Sequence, residues 1–91
     1  MNVQKVQSVD AAIRTLSEDE RRKVFSWFRQ LENWENDEFT REHSKQTPYK
    51  DVRVLNTSDD INIFFRLDPG KNEITILDIA KPSRFATASS E

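Results

Sequence analysis

Residues 61–80 read INIFFRLDPGKNEITILDIA, and the fold turns on this stretch. Ile61, Ile63, Phe65 and Leu67 alternate with Asn62, Phe64 and Arg66. A period of two sends successive side chains to opposite faces of a strand, so this run is expected to have one apolar face and one mixed face. Asp68-Pro69-Gly70-Lys71-Asn72 then reads as a hairpin connection, with Pro fixing φ and Gly free to adopt a positive φ. Residues 73–80 are apolar on both faces, the pattern expected of a central strand. Together they predict an antiparallel hairpin.

Just before this hairpin, DVRVLNT at 51–57 alternates in part and predicts another strand, joined to it by the turn signal Ser58-Asp59-Asp60. Earlier in the chain the period changes. Val24, Trp27, Phe28, Leu31 and Trp34 recur at helical spacing, with Phe25 widening the stripe, and predict a helix over 18–34 with an extension to 39 open. Ser17 and Glu20 match a capping box, and the acids at 18–20 suit the positive end of the helix dipole. Val9, Ala12, Ile13 and Leu16 predict a shorter helix over 8–16, capped by Ser8 or Asp10.

Residues 35–47 are polar around a single anchor, Phe39, and read as a loop or a fraying helix end before Pro48. Residues 1–7 read as a short edge strand or a frayed end. Residues 86–91 read as a disordered tail, which leaves 1–85 as one domain. The fold class is therefore α+β: a short N-terminal strand, then a two-helix hairpin on one face of an antiparallel sheet of roughly three to four strands. Val24, Phe28 and Leu31 are expected to meet Ile61, Ile63, Phe65 and Leu67, leaving the opposite sheet face open.

Composition narrows the function. Ninety-one residues suit a single domain. Hydrophobic residues are only 35% and charged residues 33%, but six Phe, two Trp and one Tyr argue against disorder. With 14 Lys+Arg against 16 Asp+Glu the net charge is −2, so any surface for nucleic acid must be local. The absence of cysteine excludes disulfides, thiolate metal sites and cysteine nucleophiles. One His and one Gly exclude His-rich zinc sites, Walker loops and dinucleotide fingerprints. No apolar run approaches the ~18 residues of a membrane span, and the N-terminus lacks the apolar core of a secretory signal.

The residues with chemistry to offer lie in the second half. Arg53, Asn62 and Arg66 come together if strand register puts them on one face, with Lys50, Lys81 and Arg84 at the strand ends. Cations around an exposed Phe64 suit a phosphate backbone and a stacked base. Composition alone favours the plainer reading of solvated charges beside a partly buried Phe. His43, the one imidazole, lies in the polar run 41–45, and Glu32, Glu35, Asp37 and Glu38 read as a solvated helix end before a divalent-ion site. Trp27 and Trp34 share one stripe and read as core packing or a partner interface, with Trp34 half exposed near its helix end.

The order of elements now resembles a known family. Leu16-Ser17, followed by Arg21-Arg22-Lys23-Val24, and the stretch from Tyr49 to Phe85, YKDVRVLNTSDDINIFFRLDPGKNEITILDIAKPSRF, are similar to the RelE/ParE toxin superfamily. The resemblance covers most of the chain and is weaker in its first half. It implies the cytoplasmic toxin of a type II toxin–antitoxin pair, acting without a cofactor or metal and silenced by a cognate antitoxin. RelE-like members cut messenger RNA on the ribosome; ParE-like members poison DNA gyrase.

Carried over residue by residue, the resemblance assigns Arg53, Lys81 and Arg84 to cationic stabilisation in catalysis. Lys50, Asn62, Phe64, Arg66 and Phe85 are assigned to substrate binding. Asn62 and Pro82 stand where the family has Arg, and Phe85 lies near the usual tail Tyr without its hydroxyl. A non-catalytic binding module on the same fold is the alternative. A small subunit of a larger complex, using Trp34 and the acidic run, is a third reading.

Overall fold

The computed structural model describes residues 1–57 and 61–81. The expected turn at 58–60, the residues Arg84 and Phe85, and the tail 86–91 lie outside them. The elements run β1 (Asn2–Lys5), α1 (Gln7–Arg14), α2 (Glu18–Glu32), α3 (Glu38–His43), β2 (Ser44–Gln46), β3 (Val52–Asn56), β4 (Asn62–Asp68) and β5 (Glu73–Ala80). The fold is α+β, with one five-stranded sheet in the order β1-β5-β4-β3-β2. β1 runs parallel to β5 and the other pairs are antiparallel, so the sheet is mixed and larger than the expected antiparallel one. The N-terminal segment is a true edge strand. β5 has neighbours on both sides, as its two-faced apolar pattern requires.

α2 begins as its sequence dictates. The Glu20 amide donates to Ser17 Oγ at 3.2 Å, and the Ser17 amide donates to Glu20 Oε1 at 2.8 Å. α1 departs from expectation: Val6 is its N-cap and no side chain caps it, because Asp10 pairs with Lys5 at 2.9 Å instead.

Residues 35–47, expected as loop or fraying helix, contain α3 and β2. Both are too short for a periodic signal, and side-chain bonds hold them. Asp37 caps α3 through the Thr40 amide at 3.1 Å, and the buried Thr40 hydroxyl lies 2.8 Å from Asp37 Oδ2 and 3.0 Å from Gln30 Oε1. These donors hold the Asp37 carboxyl below its ordinary pKa, the Thr40 amide most of all. Arg41 donates to the Trp34 and Glu35 carbonyls at 2.6 and 2.7 Å, collecting acceptors that the end of α2 leaves free.

The core joins Val9, Ile13 and Leu16 from the α1 side, Val24 and Leu31 of α2, and Trp34 to Leu55, Ile61, Ile63, Phe65, Ile74, Ile76 and Ile79. Val24 and Leu31 are fully buried in the core as expected, and the stripe differs at its aromatics. Trp34 is buried, edge-on to Phe65 at 5.6 Å, while Phe28 is half-buried at the margin and Phe25 is 43% exposed. The β4–β5 connection uses a positive φ at Asn72 (56°) and not at Gly70; Asn tolerates this conformation through its short polar side chain.

Candidate nucleic-acid interface

Cross-strand register sorts every candidate side chain to one face of the sheet. Between β3 and β4 the pairs are Val52–Arg66, Arg53–Phe65, Val54–Phe64, Leu55–Ile63 and Asn56–Asn62. Directly paired residues share a face. Phe65 and Ile63 are fully buried beneath the helices, so Arg53 is on the helix side, and Asn62, Phe64 and Arg66 are on the open side. The expected cluster of Arg53 with Asn62 and Arg66 is therefore divided by the sheet itself.

Arg53 is engaged where it lies. Its guanidinium carbon sits 5.6 Å from the centroid of the Trp34 ring, a cation–π contact. Nε donates to Ser44 Oγ at 2.9 Å, and the terminal nitrogens donate to Gln46 Oε1 at 3.3 Å and to the Ser44 carbonyl at 3.5 Å. Ser44 Oγ in turn donates to the Arg41 carbonyl at 2.8 Å. These contacts join the short β2 to the core aromatic.

Lys81 is likewise held. Its ammonium pairs with Glu20, both side chains about one-fifth exposed, so one carboxylate closes the α2 capping box with one oxygen and receives Lys81 with the other. The Lys81 hydrogen bond and the Ser17 amide together pull the Glu20 carboxyl down from 4.5 to about 2. The third expected catalytic cation, Arg84, lies outside the described residues, as does Phe85.

The open face carries three rows. Asn56, Asn62 and Ala80 form the first, and Lys45, Val54, Phe64 and Asp78 the second. Val52, Arg66, Thr75 and Gln4 form the third. Phe64 is half-buried, with Arg66, Lys45 and Asp78 exposed around it. Lys50 is exposed in the β2–β3 turn, where Asp51 takes a φ of 63° and its carbonyl accepts the Leu67 amide at 3.0 Å. That bond ties the turn to the end of β4. A register irregularity between Phe64 and Phe65 gives β5 an extra residue opposite this site and presents Asp78 across from Phe64.

The arrangement offers an aromatic surface with cations from β2, β4 and the β2–β3 turn, and one carboxylate beside the ring. Lys45 and Asp78 were not singled out in the sequence. Lys45 sits in a three-residue strand with no pattern to reveal it, and Asp78 reaches the open face only because of the bulge. His43 lies elsewhere, 4.1 Å from the exposed Phe39 ring with Nδ1 2.9 Å from the Phe39 carbonyl. Among the described residues, no three acidic or imidazole side chains converge as metal ligands. No helix among them is long and apolar enough to cross a membrane.

Solved structures place this architecture. The isolated E. coli RelE toxin superposes with a TM-score of 0.70 over 88% of this chain and 82% of its own, at 10% identity. The toxin–antitoxin complex E. coli RelBE matches with a TM-score of 0.71 over 88% of this chain and 94% of the matched chain, also at 10% identity. The fold is RelE-like. No protein-family model matches the chain, and no curated protein matches it in sequence. At this identity the likeness speaks for the fold alone.

Proposed function

We propose that this chain is the toxin component of a cytoplasmic toxin–antitoxin pair, and that it engages messenger RNA on the ribosome through the open face of its sheet. The observation that carries this reading is the Phe64 surface on a RelE-like fold: a half-buried aromatic ring on the sheet face opposite the described helices, with Arg66 on the same strand and Lys45 two strands away in its row. A partly exposed ring suits base stacking, and nearby cations suit the adjoining phosphates. Cleavage would need cationic stabilisation of the phosphate, a base for the proton of the 2′-hydroxyl and an acid for the leaving 5′-oxygen. Arg66 and Lys45 on the open face and Lys50 in the β2–β3 turn are the cations for the first task, with Asn62 on the same face, and Asp78 is the carboxylate nearest the ring to act as the base.

A second reading, a non-catalytic binder on the same fold with a target such as DNA gyrase, draws on a specific observation. Arg53 and Lys81, two of the three cations assigned to catalysis by resemblance, are spent on Trp34 and Glu20. The two readings separate on induction of the chain alone and together with the product of the adjoining reading frame. Growth arrest relieved by the neighbour is expected, with new 5′ ends in messenger RNA by primer extension. Arrest with uncut messages would favour the binder, and unimpaired growth would refute the toxin reading.

A further inference from the structure

Trp27, Phe39 and His43 form an aromatic cluster where α3 meets α2. The Trp27 and Phe39 rings are parallel to within 8°, with centroids 6.4 Å apart. The His43 ring lies 4.1 Å from Phe39 and 6.4 Å from Trp27, which closes the triangle. Phe39 and His43 stand four residues apart, so one line along α3 supplies both. Trp27 is half-buried with its body against the core, whereas His43 is exposed and Phe39 is 57% exposed.

Polar groups surround these rings. His43 Nδ1 lies 2.9 Å from the Phe39 carbonyl, and a carbonyl can only accept, so Nδ1 carries a proton. In the neutral ring that leaves Nε2 as an acceptor. Glu42 is three residues beyond Phe39 and Glu38 is four before Glu42, so two exposed carboxylates run beside the aromatic line. Among the described residues no ion pair holds either of them. Like charges at this spacing repel, and a carboxylate in the last turn, as at Glu42, is opposed by the helix dipole. The neighbouring cations are spent: Arg41 donates to the Trp34 and Glu35 carbonyls, and Lys23, one turn before Trp27, is already engaged.

Charge narrows the occupant. A ring face attracts a cation, two carboxylates would neutralise it, and the imidazole offers an acceptor for one of its N–H groups. A guanidinium meets all three demands, because it is flat enough to stack and carries five donors in a fixed fork. A lysine ammonium is a compact point charge that does not stack. A nucleic-acid base stacked here would bring its phosphates towards Glu38 and Glu42. A second copy of this chain would set the same carboxylates against each other.

We propose that the Trp27–Phe39–His43 surface binds an arginine side chain carried by a basic segment of a partner protein. The guanidinium stacks on Phe39 and donates to the Glu38 and Glu42 carboxylates and to His43 Nε2. The inference does not rest on the toxin reading, since it uses neither the open face nor any RNA chemistry.

The test is NMR titration of the full chain with three blocked Gly-Ser peptides that carry paired arginines, lysines or glutamates, and with an oligouridylate. The signals followed are the Trp27 indole N–H and the Phe39 and His43 rings, with the buried Trp34 indole as internal reference. The arginine peptide is expected to shift the three reporters and leave Trp34 unmoved, with the lysine peptide at least about threefold weaker and the glutamate peptide silent. Phe39→Ser should weaken arginine binding about fivefold. Glu38→Lys/Glu42→Lys leaves the rings in place and should transfer the preference to the glutamate peptide, which decides the matter should Phe39→Ser disturb α3. The proposal is overturned if no reporter shifts at millimolar arginine peptide, or if the lysine peptide or the oligouridylate binds as well. It is equally overturned if the double variant keeps its preference for arginine, or if the reporters shift with protein concentration alone, which would mark a contact between copies.

Discussion

Arg53 and Arg66 lie on neighbouring strands of one sheet and have opposite fates. Arg53 projects beneath the helices, where Trp34, Ser44 and Gln46 occupy its whole guanidinium, and Arg66 projects into solvent beside Phe64. The same contrast holds for the aromatics: Trp34 is sealed against Phe65, while Phe64, one residue away, is on the uncovered face. A side chain's chemistry does not tell which task it performs; the parity of its strand does. The helix side uses arginine and aromatic groups for cohesion, and the open side leaves Arg66 exposed and Phe64 partly so. On this division Arg53 is a structural residue, and its loss of function on mutation would report unfolding before it reported chemistry.

Truncating the aromatic on each face is the hardest blow to that contrast. Trp34→Ala removes a buried ring and should cost about 3–5 kcal/mol in urea unfolding. Phe64→Ala should cost about 1 kcal/mol or less, because the ring is only half covered. Comparable losses would break the distinction. The arginines sharpen it at a smaller scale. Arg53→Ala should cost about 1–2 kcal/mol through the lost cation–π contact and the stranded Ser44 partner, against less than about 0.5 kcal/mol for Arg66→Ala.

A further effect on the covered side is the pH dependence of the Glu20–Lys81 contact. Glu20 titrates at about 2 in the folded chain and near 4.5 when unperturbed, so the unfolded chain takes up the proton first as pH falls. The Glu20–Lys81 contact therefore stabilises fully above pH 4.5 and is lost progressively towards pH 2. The stability difference between wild type and Glu20→Gln should be about 1 kcal/mol at pH 6 and vanish by about pH 2. A difference that persists undiminished at low pH would show that Lys81 is not held by this carboxylate.

Much of this was legible in the residues, and what was not has identifiable physics. The β4–β5 hairpin follows from strict alternation in 61–67 and the Pro-Gly connection, and α2 from its stripe and capping box. The face of Arg53 was hidden because Val52, Val54 and Leu55 are all apolar, so β3 has no unambiguous parity of its own. Only pairing of Leu55 with Ile63 settles it. The marginal places of Phe25 and Phe28 have a similar origin, since six apolar positions from Val24 to Trp34 cover more arc than the sheet can bury. α3 and β2 are held by the local Asp37 cap and by Thr40 and Arg41 reaching back to Gln30 and Trp34, bonds that no local period announces. β1 gains its strand identity from β5, some seventy residues away. Of the candidate residues, Asn62, Phe64 and Arg66 fall on the open face by strand parity, and Lys50 is exposed in the β2–β3 turn. Lys45 and Asp78 required the register and the bulge.

The most direct test of a functional open face is growth arrest on induction, measured for Phe64→Ala/Arg66→Ala beside wild type, with unfolding midpoints taken for both. The double variant should stay folded, within about 1–1.5 kcal/mol of wild type, and lose both growth arrest and co-sedimentation with ribosomes. A folded double variant that arrests growth and sediments with ribosomes as wild type does would contradict the assignment and move the functional surface off this face.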